Sequence, residues 1–262
     1  MVAIAHDPNR APPADRNTLG KARHRPSLPA RETPVLFPAT IRLWLLLSST
    51  ILLGNCQFAR SPEEETLRQL RLVDLSDHEP RWLVSLQYQK AQPLAKRPLY
   101  HPEFPALLHQ GTAKRLRKAN ALLRKKGLRL VIWDAYRPHE TQLALWDASG
   151  HDDTFVANPF HAPSLHTHAC AVDVSLAHLD GRPAAVPTDF DDFSPRAASD
   201  YPHPDPVVRK NMRLLKEAMW AAGFGTLPHE WWHFMDKDYR EIPCIATESL
   251  PESLQSMISS TR

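Results

Sequence analysis

The sequence predicts an α+β fold in which a central, largely antiparallel sheet is flanked by helices, and three observations support this prediction. The chain has 262 residues, of which 42% are hydrophobic, so one large domain can bury a full core. Its 25 prolines against eight glycines indicate many fixed turns and disfavour a coiled coil or a repeat array. Segments with helical and strand patterns are interspersed without the regular β-α-β spacing of a parallel sheet.

The first 56 residues differ in composition from the rest of the chain, and we expect them to form a leader. Residues 1–40 are polar and rich in proline without an apolar period, which is typical of disorder. The apolar run 43–53 follows Arg42 and is shorter than the ~20 residues that span a bilayer, but it has the length of a signal's hydrophobic region. Cys56 follows shortly after, like the lipidated cysteine of a bacterial lipoprotein. This predicts a periplasmic protein anchored to the membrane through Cys56. The alternative is a cytoplasmic protein with a buried N-terminal helix.

Residues 57–240 are predicted to form the folded domain, followed by a polar C-terminal tail over 241–262 with at most one short helix. The four predicted helices of the domain cover residues 61–75, 104–126, 140–148 and 205–222. Ser61 at the N-cap, Pro62 at the first helical position and three glutamates in the first turn mark the start of the first helix. Gly127 and Gly223 mark the ends of the second and fourth helices.

Strands are predicted where apolar residues alternate or run together. The four predicted strands cover residues 82–88, 128–133, 169–176 and 231–235. The second of them alternates and then becomes continuously apolar, as expected of a buried strand, and the chain turns after it at Asp134.

The charge of the chain gives no reason to propose a nucleic-acid partner. The net charge is +3, and the leader carries the excess, since residues 56–262 hold 25 basic and 26 acidic side chains. The sequence contains no P-loop, glycine-rich dinucleotide motif, RNP motif, helix-turn-helix or zinc-finger spacing. Three cysteines are too few for a disulfide framework. The sequence makes no prediction about the oligomeric state.

The strongest chemical signal is a set of metal-binding residue types in two segments. Asp173 follows His166 by seven residues, and His233 follows Glu230 by three. A catalytic Zn²⁺ takes three protein ligands from His and Asp/Glu, and a further carboxylate off the metal takes the proton of the attacking water. His166, Asp173 and His233 as ligands, with Glu230 as general base, satisfy this requirement.

The spacing of these residues requires local breaks in the chain. Residues an odd number of positions apart face opposite sides of a straight strand. We therefore expect a turn or bend near Ala169 and a bulge between Glu230 and His233. Any one of these side chains alone would indicate little, because most of the 14 histidines must be solvated or core residues. Cys170 could be a fourth ligand, but a small packing residue is the simpler interpretation, since Asp173 already fills the third position.

Three motifs in this order resemble the zinc D-alanyl-D-alanine dipeptidases of the VanX type. They are Asp134-Ala135-Tyr136-Arg137-Pro138, the segment from Ser164 through His166 to Asp173, and Glu230-Trp231-Trp232-His233. The resemblance covers about residues 70–236. It implies an α+β fold shared with D-Ala-D-Ala carboxypeptidases and the Hedgehog signalling domain. It also implies one catalytic zinc per chain and hydrolysis of the free D-Ala-D-Ala dipeptide to two D-alanines.

The resemblance implies roles for individual residues. The positions that match the family's zinc ligands are His166, Asp173 and His233. Glu230 matches the catalytic base, and Arg137 matches the arginine that stabilises the tetrahedral intermediate. Ser164 matches a serine that contacts the substrate, and Asp191 resembles the aspartate that holds the substrate's ammonium group. Tyr88 resembles a tyrosine of the same pocket.

The sequence departs from the family within the zinc motif. Ala169 replaces the family's glycine there, and a positive φ at this position would cost an alanine about 1 kcal/mol.

Two alternative functions remain open. One alternative is a zinc carboxypeptidase or endopeptidase that acts on cell-wall peptides in an open groove. The other is a catalytically silent zinc-binding module. The presence of both Glu230 and Arg137 disfavours this second alternative, because a structural zinc site needs neither.

The leader gives a testable prediction. In its native host, the mature chain should begin at or near Cys56 and carry a lipid on that cysteine, because the apolar run before it fits a cleaved signal. Cell fractionation with intact-mass analysis measures this. A cytoplasmic protein with an intact N-terminus and an unmodified Cys56 would contradict the prediction and leave the zinc-peptidase interpretation unaffected.

Overall fold

Helices and strands are mixed along the part of the chain that the computed structural model describes, residues 60–76 and 82–261. The helices are α1 (Pro62–Gln69), α2 (Gln110–Arg124), α3 (His139–Ala148), α4 (Pro206–Ala222) and α5 (Glu252–Ser259). The strands are β1 (Leu72–Asp74), β2 (Leu83–Val84), β3 (Leu107–His109), β4 (Leu128–Asp134), β5 (Ala171–His178), β6 (Phe224–Thr226) and β7 (His233–Asp236). The predicted leader lies outside the described residues.

The main sheet has five strands in the order β2-β4-β5-β7-β6. Only the β2–β4 pair is parallel, and the other three pairs are antiparallel. The α+β fold with a largely antiparallel sheet is therefore confirmed. β1 and β3 form a separate antiparallel pair. Within the described residues no helix is long and apolar enough to cross a bilayer.

Helices α2 and α4 pack against each other, and α2 also packs on β4. The fully buried side chains of the core include Trp82, Phe224, Trp232 and Phe234. β4 alternates between fully and partly buried residues, whereas β5 is buried along almost its whole length. A strand buried on both faces indicates that β5 is the centre of the sheet.

The helix signals predicted at Ser61 and Gly223 are confirmed, and further caps are observed. The Ser61 hydroxyl accepts from the Glu64 N–H while the Glu64 carboxylate accepts from the Ser61 N–H, which forms a capping box. The Asp205 side chain caps α4 by accepting from the Val207 N–H. α4 ends at Gly223, whose φ of 99° places it in the left-handed region.

Two predicted helices are shorter than expected because their ends form the β1–β3 pair. The predicted helix 61–75 stops at Gln69, and Arg71 adopts a φ of 57° before β1 begins. The predicted helix 104–126 begins only at Gln110, after β3. Leu107 and Leu108 fit a helical period equally well, and short apolar runs do not distinguish helix from strand. Pairing with β1 decides in favour of the strand.

Two predicted strands are also shorter. The predicted strand 82–88 is reduced to β2, and a 3-10 turn over Gln87–Gln89 follows it. The predicted strand 231–235 begins only at His233, because the two tryptophans before it form a turn. The bulge expected between Glu230 and His233 is therefore wrong, and a turn changes the direction of the side chains there. The register of the sheet shifts instead between Ile132 and Asp134 on β4.

The C-terminal residues predicted as a polar tail are folded against the core. Ile245, Leu250, Leu254 and Ile258 are buried members of the main hydrophobic cluster. α5 supplies two of them, in agreement with the one short helix expected there. The segment reads as polar because its apolar residues are widely spaced.

Two glycines in the left-handed region give a stability prediction. Gly127 and Gly223 have φ of 78° and 99°, and an alanine Cβ at Gly127 would meet nothing within 4 Å. A Cβ at Gly223 would collide with the guanidinium of Arg115, which also pairs with Asp236. We expect Gly127→Ala to lower the free energy of unfolding by about 1 kcal/mol, and Gly223→Ala to lower it further. Urea denaturation measures both, and equal losses would contradict a role for the Arg115 contact.

Candidate metal centre

The register of three neighbouring strands brings acidic and imidazole side chains together. Asp134 on β4 lies opposite Asp173 on β5, and Asp173 lies opposite His233 on β7. The register shift after Ile132 lets Asp134 take this position, as β-bulges commonly do near functional sites. All three side chains are buried.

His166 reaches the same point from a turn that precedes β5. Ala169 closes this turn with a φ of 51°, and its N–H donates to the His166 carbonyl at 2.9 Å. The bend predicted near Ala169 is therefore confirmed, and the site does use the left-handed conformation that an alanine adopts at a cost of about 1 kcal/mol. Cys170 is a packing residue, and its thiol donates to the Leu165 carbonyl.

Strand β3, which the sequence does not predict, is hydrogen-bonded both to the turn after β4 and to the turn at Ala169. The Leu107 carbonyl accepts from the Tyr136 N–H at 2.8 Å, and the His109 N–H donates to the Ala169 carbonyl at 2.8 Å. The Arg137 N–H also donates to the His166 carbonyl at 3.2 Å. Backbone hydrogen bonds therefore fix the relative positions of the two motifs without any contribution from side chains.

Three side-chain atoms converge with the spacing of metal ligands. His166 Nε2 lies 3.2 Å from His233 Nδ1 and 3.4 Å from an Asp173 carboxylate oxygen, and His233 Nδ1 lies 2.9 Å from the same oxygen. Ligands about 2.0–2.2 Å from one tetrahedral ion lie about 3.3 Å apart, so the three distances fit zinc. Across the described ranges, this triad is the one group of three such side chains with convergent ligand atoms.

A backbone carbonyl determines which nitrogen of His166 is free to bind a metal. His166 Nδ1 lies 2.7 Å from the Ala135 carbonyl oxygen, which can only accept a hydrogen bond. Nδ1 therefore carries the proton, and Nε2 directs its lone pair towards Asp173 and His233. Metal-binding histidines usually make this kind of supporting hydrogen bond.

Arg137 is buried beside the triad and held by two neighbours. Its Nε and Nη2 donate to the same oxygen of Asp134 at 2.9 and 2.8 Å, and its Nη1 donates to the Gln142 amide oxygen at 2.9 Å. Tyr100 donates to the other oxygen of Asp134 at 2.6 Å. Nη2 also lies 3.5 Å from the Asp173 carboxylate. The guanidinium is therefore fixed in orientation, with one edge towards the triad.

Glu230 lies next to the triad without belonging to it. Its carboxylate is 3.8 Å from His233 Nδ1, and its side chain is only 13% exposed. Burial raises the pKa of Glu230 to about 7, because the nearby Asp173 adds to the effect and His233 and Arg137 offset it only partly. A carboxyl group with a pKa near neutrality can both accept and release a proton.

Asp191 and Tyr88 form the opposite side of the site. The Tyr88 hydroxyl donates to the Asp191 carboxylate at 3.1 Å, and the Arg137 guanidinium lies 5.2 Å from the centre of the Tyr88 ring. Asp191 has a φ of 55°, in the left-handed region that aspartate tolerates better than most non-glycine residues. Burial raises the pKa of Asp191 to about 8, with Asp173 and Glu230 adding to it against Arg137.

The two histidines keep the central carboxylate ionised. Burial raises the pKa of Asp173, but the adjacent His166 and His233 outweigh it, so the pKa lies well below its usual range. Burial lowers the pKa of His233, but the hydrogen bond to Asp173 outweighs it and the pKa is raised. Asp173 is therefore available as an anionic ligand.

One small cavity of about 70 Å³ contains every candidate residue of the sequence. The eight predicted site residues that line it are Tyr88, Arg137, Ser164, His166, Asp173, Asp191, Glu230 and His233. Ser164 is buried and accepts from the His166 N–H at 3.3 Å. A larger, open groove between α3 and α5 contains none of them.

Sequence reasoning missed the residues that support this set. The sequence marks Asp134 only as part of a turn motif, although its carboxylate pairs with the Arg137 guanidinium. Gln142 lies five residues after Arg137, at the start of α3, where a polar residue is unremarkable. Tyr100 carries no motif, and its contact with Asp134 depends on the tertiary fold.

The α+β fold, the triad and the buried Glu230 together define a metal-dependent peptidase. The family profile described as D-ala-D-ala dipeptidase matches residues 68–248, and the chain belongs to this family.

Curated relatives agree with this assignment. The D-alanyl-D-alanine dipeptidase of Escherichia coli (strain K12) is 30% identical over 177 residues, which cover 68% of this chain and 90% of that protein. The D-alanyl-D-alanine dipeptidase of Enterococcus faecalis is 26% identical, covering 50% of this chain and 74% of its own length. That of Streptomyces coelicolor is 28% identical, covering 43% of this chain and 64% of its own.

The buried ion pair gives a stability prediction. Asp134→Ala should lower the free energy of unfolding by about 3–5 kcal/mol, because it leaves the Arg137 guanidinium buried without its main partner. Tyr100→Phe should cost about 1.5–3 kcal/mol, the value of one hydrogen bond to a charged group. Asp180→Ala is the control, because Asp180 pairs with Arg182 on the surface and its loss should change little. Urea denaturation measures all three variants. A loss of stability in Asp134→Ala no larger than that in Asp180→Ala would contradict the role of Asp134 as the main partner of Arg137.

Proposed function

We propose that this chain hydrolyses the dipeptide D-Ala-D-Ala to two D-alanines in a zinc-dependent reaction. The observation that carries the proposal is the convergence of three ligand atoms beside a separate buried carboxylate, Glu230. A structural zinc site needs no such carboxylate and no clamped arginine. The names of the curated relatives support the choice of substrate.

The proposed zinc ligands are His166 Nε2, His233 Nδ1 and one oxygen of Asp173. Four carboxyl groups, two buried and two half-buried, surround a single guanidinium at the cavity, and a bound dication would favour their ionised forms. The carboxylates are Asp134, Asp173, Asp191 and Glu230. When bound, the ion supplies Lewis-acid chemistry, since it polarises a carbonyl and makes water more acidic.

Glu230 is the proposed general base and, later, the general acid. It accepts the proton of the attacking water and then delivers it to the amine that leaves when the peptide bond breaks. Its raised pKa suits both transfers, because an efficient proton shuttle has a pKa near the working pH. Its position next to His233 Nδ1, and outside the triad, leaves its oxygens free for this task.

Arg137 is the proposed partner of the oxyanion that develops on the substrate carbonyl. Asp134 and Gln142 hold its guanidinium in one orientation, so it needs no rearrangement during the reaction. Preorganised charge of this kind stabilises the transition state more than the ground state. The Nη2 edge near Asp173 is the part of the guanidinium that faces the triad.

Asp191, Tyr88 and Ser164 are the proposed substrate-binding residues. The Asp191 carboxylate would pair with the substrate's free ammonium group, and binding of that cation would offset the burial that raises the pKa of Asp191. The Tyr88 hydroxyl orients the carboxylate through its hydrogen bond. Ser164, which lines the cavity near His166, would contact the substrate.

An activity assay separates this function from its alternatives. The purified chain, loaded with zinc, should release D-alanine from free D-Ala-D-Ala and leave a blocked pentapeptide ending in D-Ala-D-Ala intact, because the cavity is small. Release of D-alanine from the pentapeptide alone would indicate a carboxypeptidase. Zinc binding without either activity would indicate a silent module.

Replacement of the base gives a further prediction. Glu230→Gln should keep its zinc and lose about 10²–10⁴-fold in kcat, because a general base contributes about that factor. In the wild type, kcat/KM should rise with pH on the acid limb as Glu230 loses its proton. A bound cation lowers the pKa from about 7, so the limb should lie below neutral pH. Glu252→Gln, at an exposed glutamate of α5, is the control. Loss of zinc from Glu230→Gln would make Glu230 a ligand and contradict its role as base.

A further inference from the structure

The cavity has a polar floor and an apolar rim that the proposed chemistry does not use. The rim consists of four half-buried side chains that line the cavity, Leu94, Phe155, Phe193 and Leu227. Each belongs to a different loop: before β3, between α3 and β5, between β5 and α4, and between β6 and β7. A half-buried side chain in a cavity wall is partly exposed to solvent, and Asp191 and Glu230 are half-buried as well. Four loops therefore contribute apolar side chains to the solvent-exposed part of the wall.

Two of these side chains, Phe155 and Phe193, contact each other at the rim. The rings of Phe155 and Phe193 are stacked, with centroids 4.4 Å apart and planes inclined by 24°. This contact joins the loop after α3 to the loop that carries Asp191. A stacked pair of this kind is a preferred aromatic geometry and stabilises the approach of the two loops.

The loop of Phe193 is anchored by a buried neighbour. Phe190 is buried and contacts the rings of Tyr88 and Trp232. Asp191 then turns the chain in the left-handed conformation, and Phe193 follows two residues later. The backbone that carries Phe193 is therefore held close to buried Phe190 and to Asp191.

The loop of Phe155 is anchored to the catalytic arginine. Val156 is buried, and the Gln142 amide donates to the Ala157 carbonyl at 2.8 Å. The oxygen of the same amide accepts from Arg137 at 2.9 Å. Gln142 thus connects the loop of Phe155 to the guanidinium of Arg137.

We propose that the Phe155–Phe193 pair determines the length of peptide that the site accepts, by closing the cavity on the side of the substrate's amino group. This inference rests on the proposed function, which places the ammonium group at Asp191. Phe193 is two residues from Asp191, so their Cα atoms lie within about 7 Å. A residue added before the substrate's amino group would have to pass the two rings. Its peptide N–H and C=O would meet apolar surface there and lose their hydrogen bonds to water.

Two isomeric tripeptides test this proposal. Gly-D-Ala-D-Ala extends the dipeptide at its amino end, and D-Ala-D-Ala-Gly extends it at its carboxyl end. Initial rates of cleavage of the D-Ala–D-Ala bond by the full zinc-loaded chain are measured by liquid chromatography and mass spectrometry, with D-Ala-D-Ala as the reference. The variants are Phe193→Ala and Phe155→Ala. If Phe193→Ala fails to fold in a thermal-unfolding check, Phe193→Leu is used in its place.

The matched control is Phe160→Ala. Phe160 belongs to the same loop as Phe155, but it is 75% exposed and does not line the cavity. Its replacement should leave the ratio of tripeptide to dipeptide kcat/KM unchanged. Each of the two rim variants should raise this ratio at least tenfold for Gly-D-Ala-D-Ala and much less for D-Ala-D-Ala-Gly.

The remaining outcomes separate the two proposals. If the wild type cleaves D-Ala-D-Ala but no folded rim variant changes the ratio, the role of the phenylalanine pair is overturned and the proposed function stands. An equal rise for both tripeptides, or a rise for D-Ala-D-Ala-Gly alone, overturns the placement of the pair at the amino end. If the wild type does not cleave D-Ala-D-Ala, the proposed function fails and the length selection fails with it.

Discussion

The register of β4, β5 and β7 is the constraint on which the whole site depends. It places Asp173 between Asp134 on one side and His233 on the other. Side chains alternate between the faces of a strand, so a slip of β7 by one residue would turn His233 away from the site. Two site residues outside these strands, Arg137 and His166, are joined by a backbone hydrogen bond. The ligand geometry is therefore a property of the backbone pairing.

Buried charge is the second physical feature of the site, and it follows from the first. The same register that brings ligands together also concentrates carboxylates where water is scarce, which explains the raised pKa values of Glu230 and Asp191. Arg137 and His233 offset this effect at Glu230 only partly, and two of the guanidinium's donors are bound to Asp134. A cation in the triad and an ammonium group at Asp191 would each relieve the repulsion. Binding of a metal and of an ammonium-bearing substrate would thus be coupled through electrostatics.

The sequence predicted the fold class, because motifs and helix caps are local patterns. The metal-binding residue types and the family resemblance together indicated eight candidate residues, all of which line one cavity. It did not predict β1 and β3, since Leu107 and Leu108 fit a helix as well as a strand until pairing with β1 decides. It also missed Tyr100 and the Phe155–Phe193 stack, which join residues far apart in the chain. Such contacts depend on tertiary packing and leave no periodic signal. Their absence from the motifs explains why the sequence indicated the candidate residues of the site but not the residues that contact and enclose them.

The zinc content of two histidine variants tests the central claim most directly. His166 offers Nε2 to the triad, whereas His168, two residues later, directs its Nδ1 to the Ile242 carbonyl and is not part of the triad. We expect the purified wild type and His168→Ala to hold one equivalent of zinc after dialysis, and His166→Ala to hold none, as measured by inductively coupled plasma mass spectrometry. A full equivalent of tightly bound zinc in His166→Ala would contradict the account.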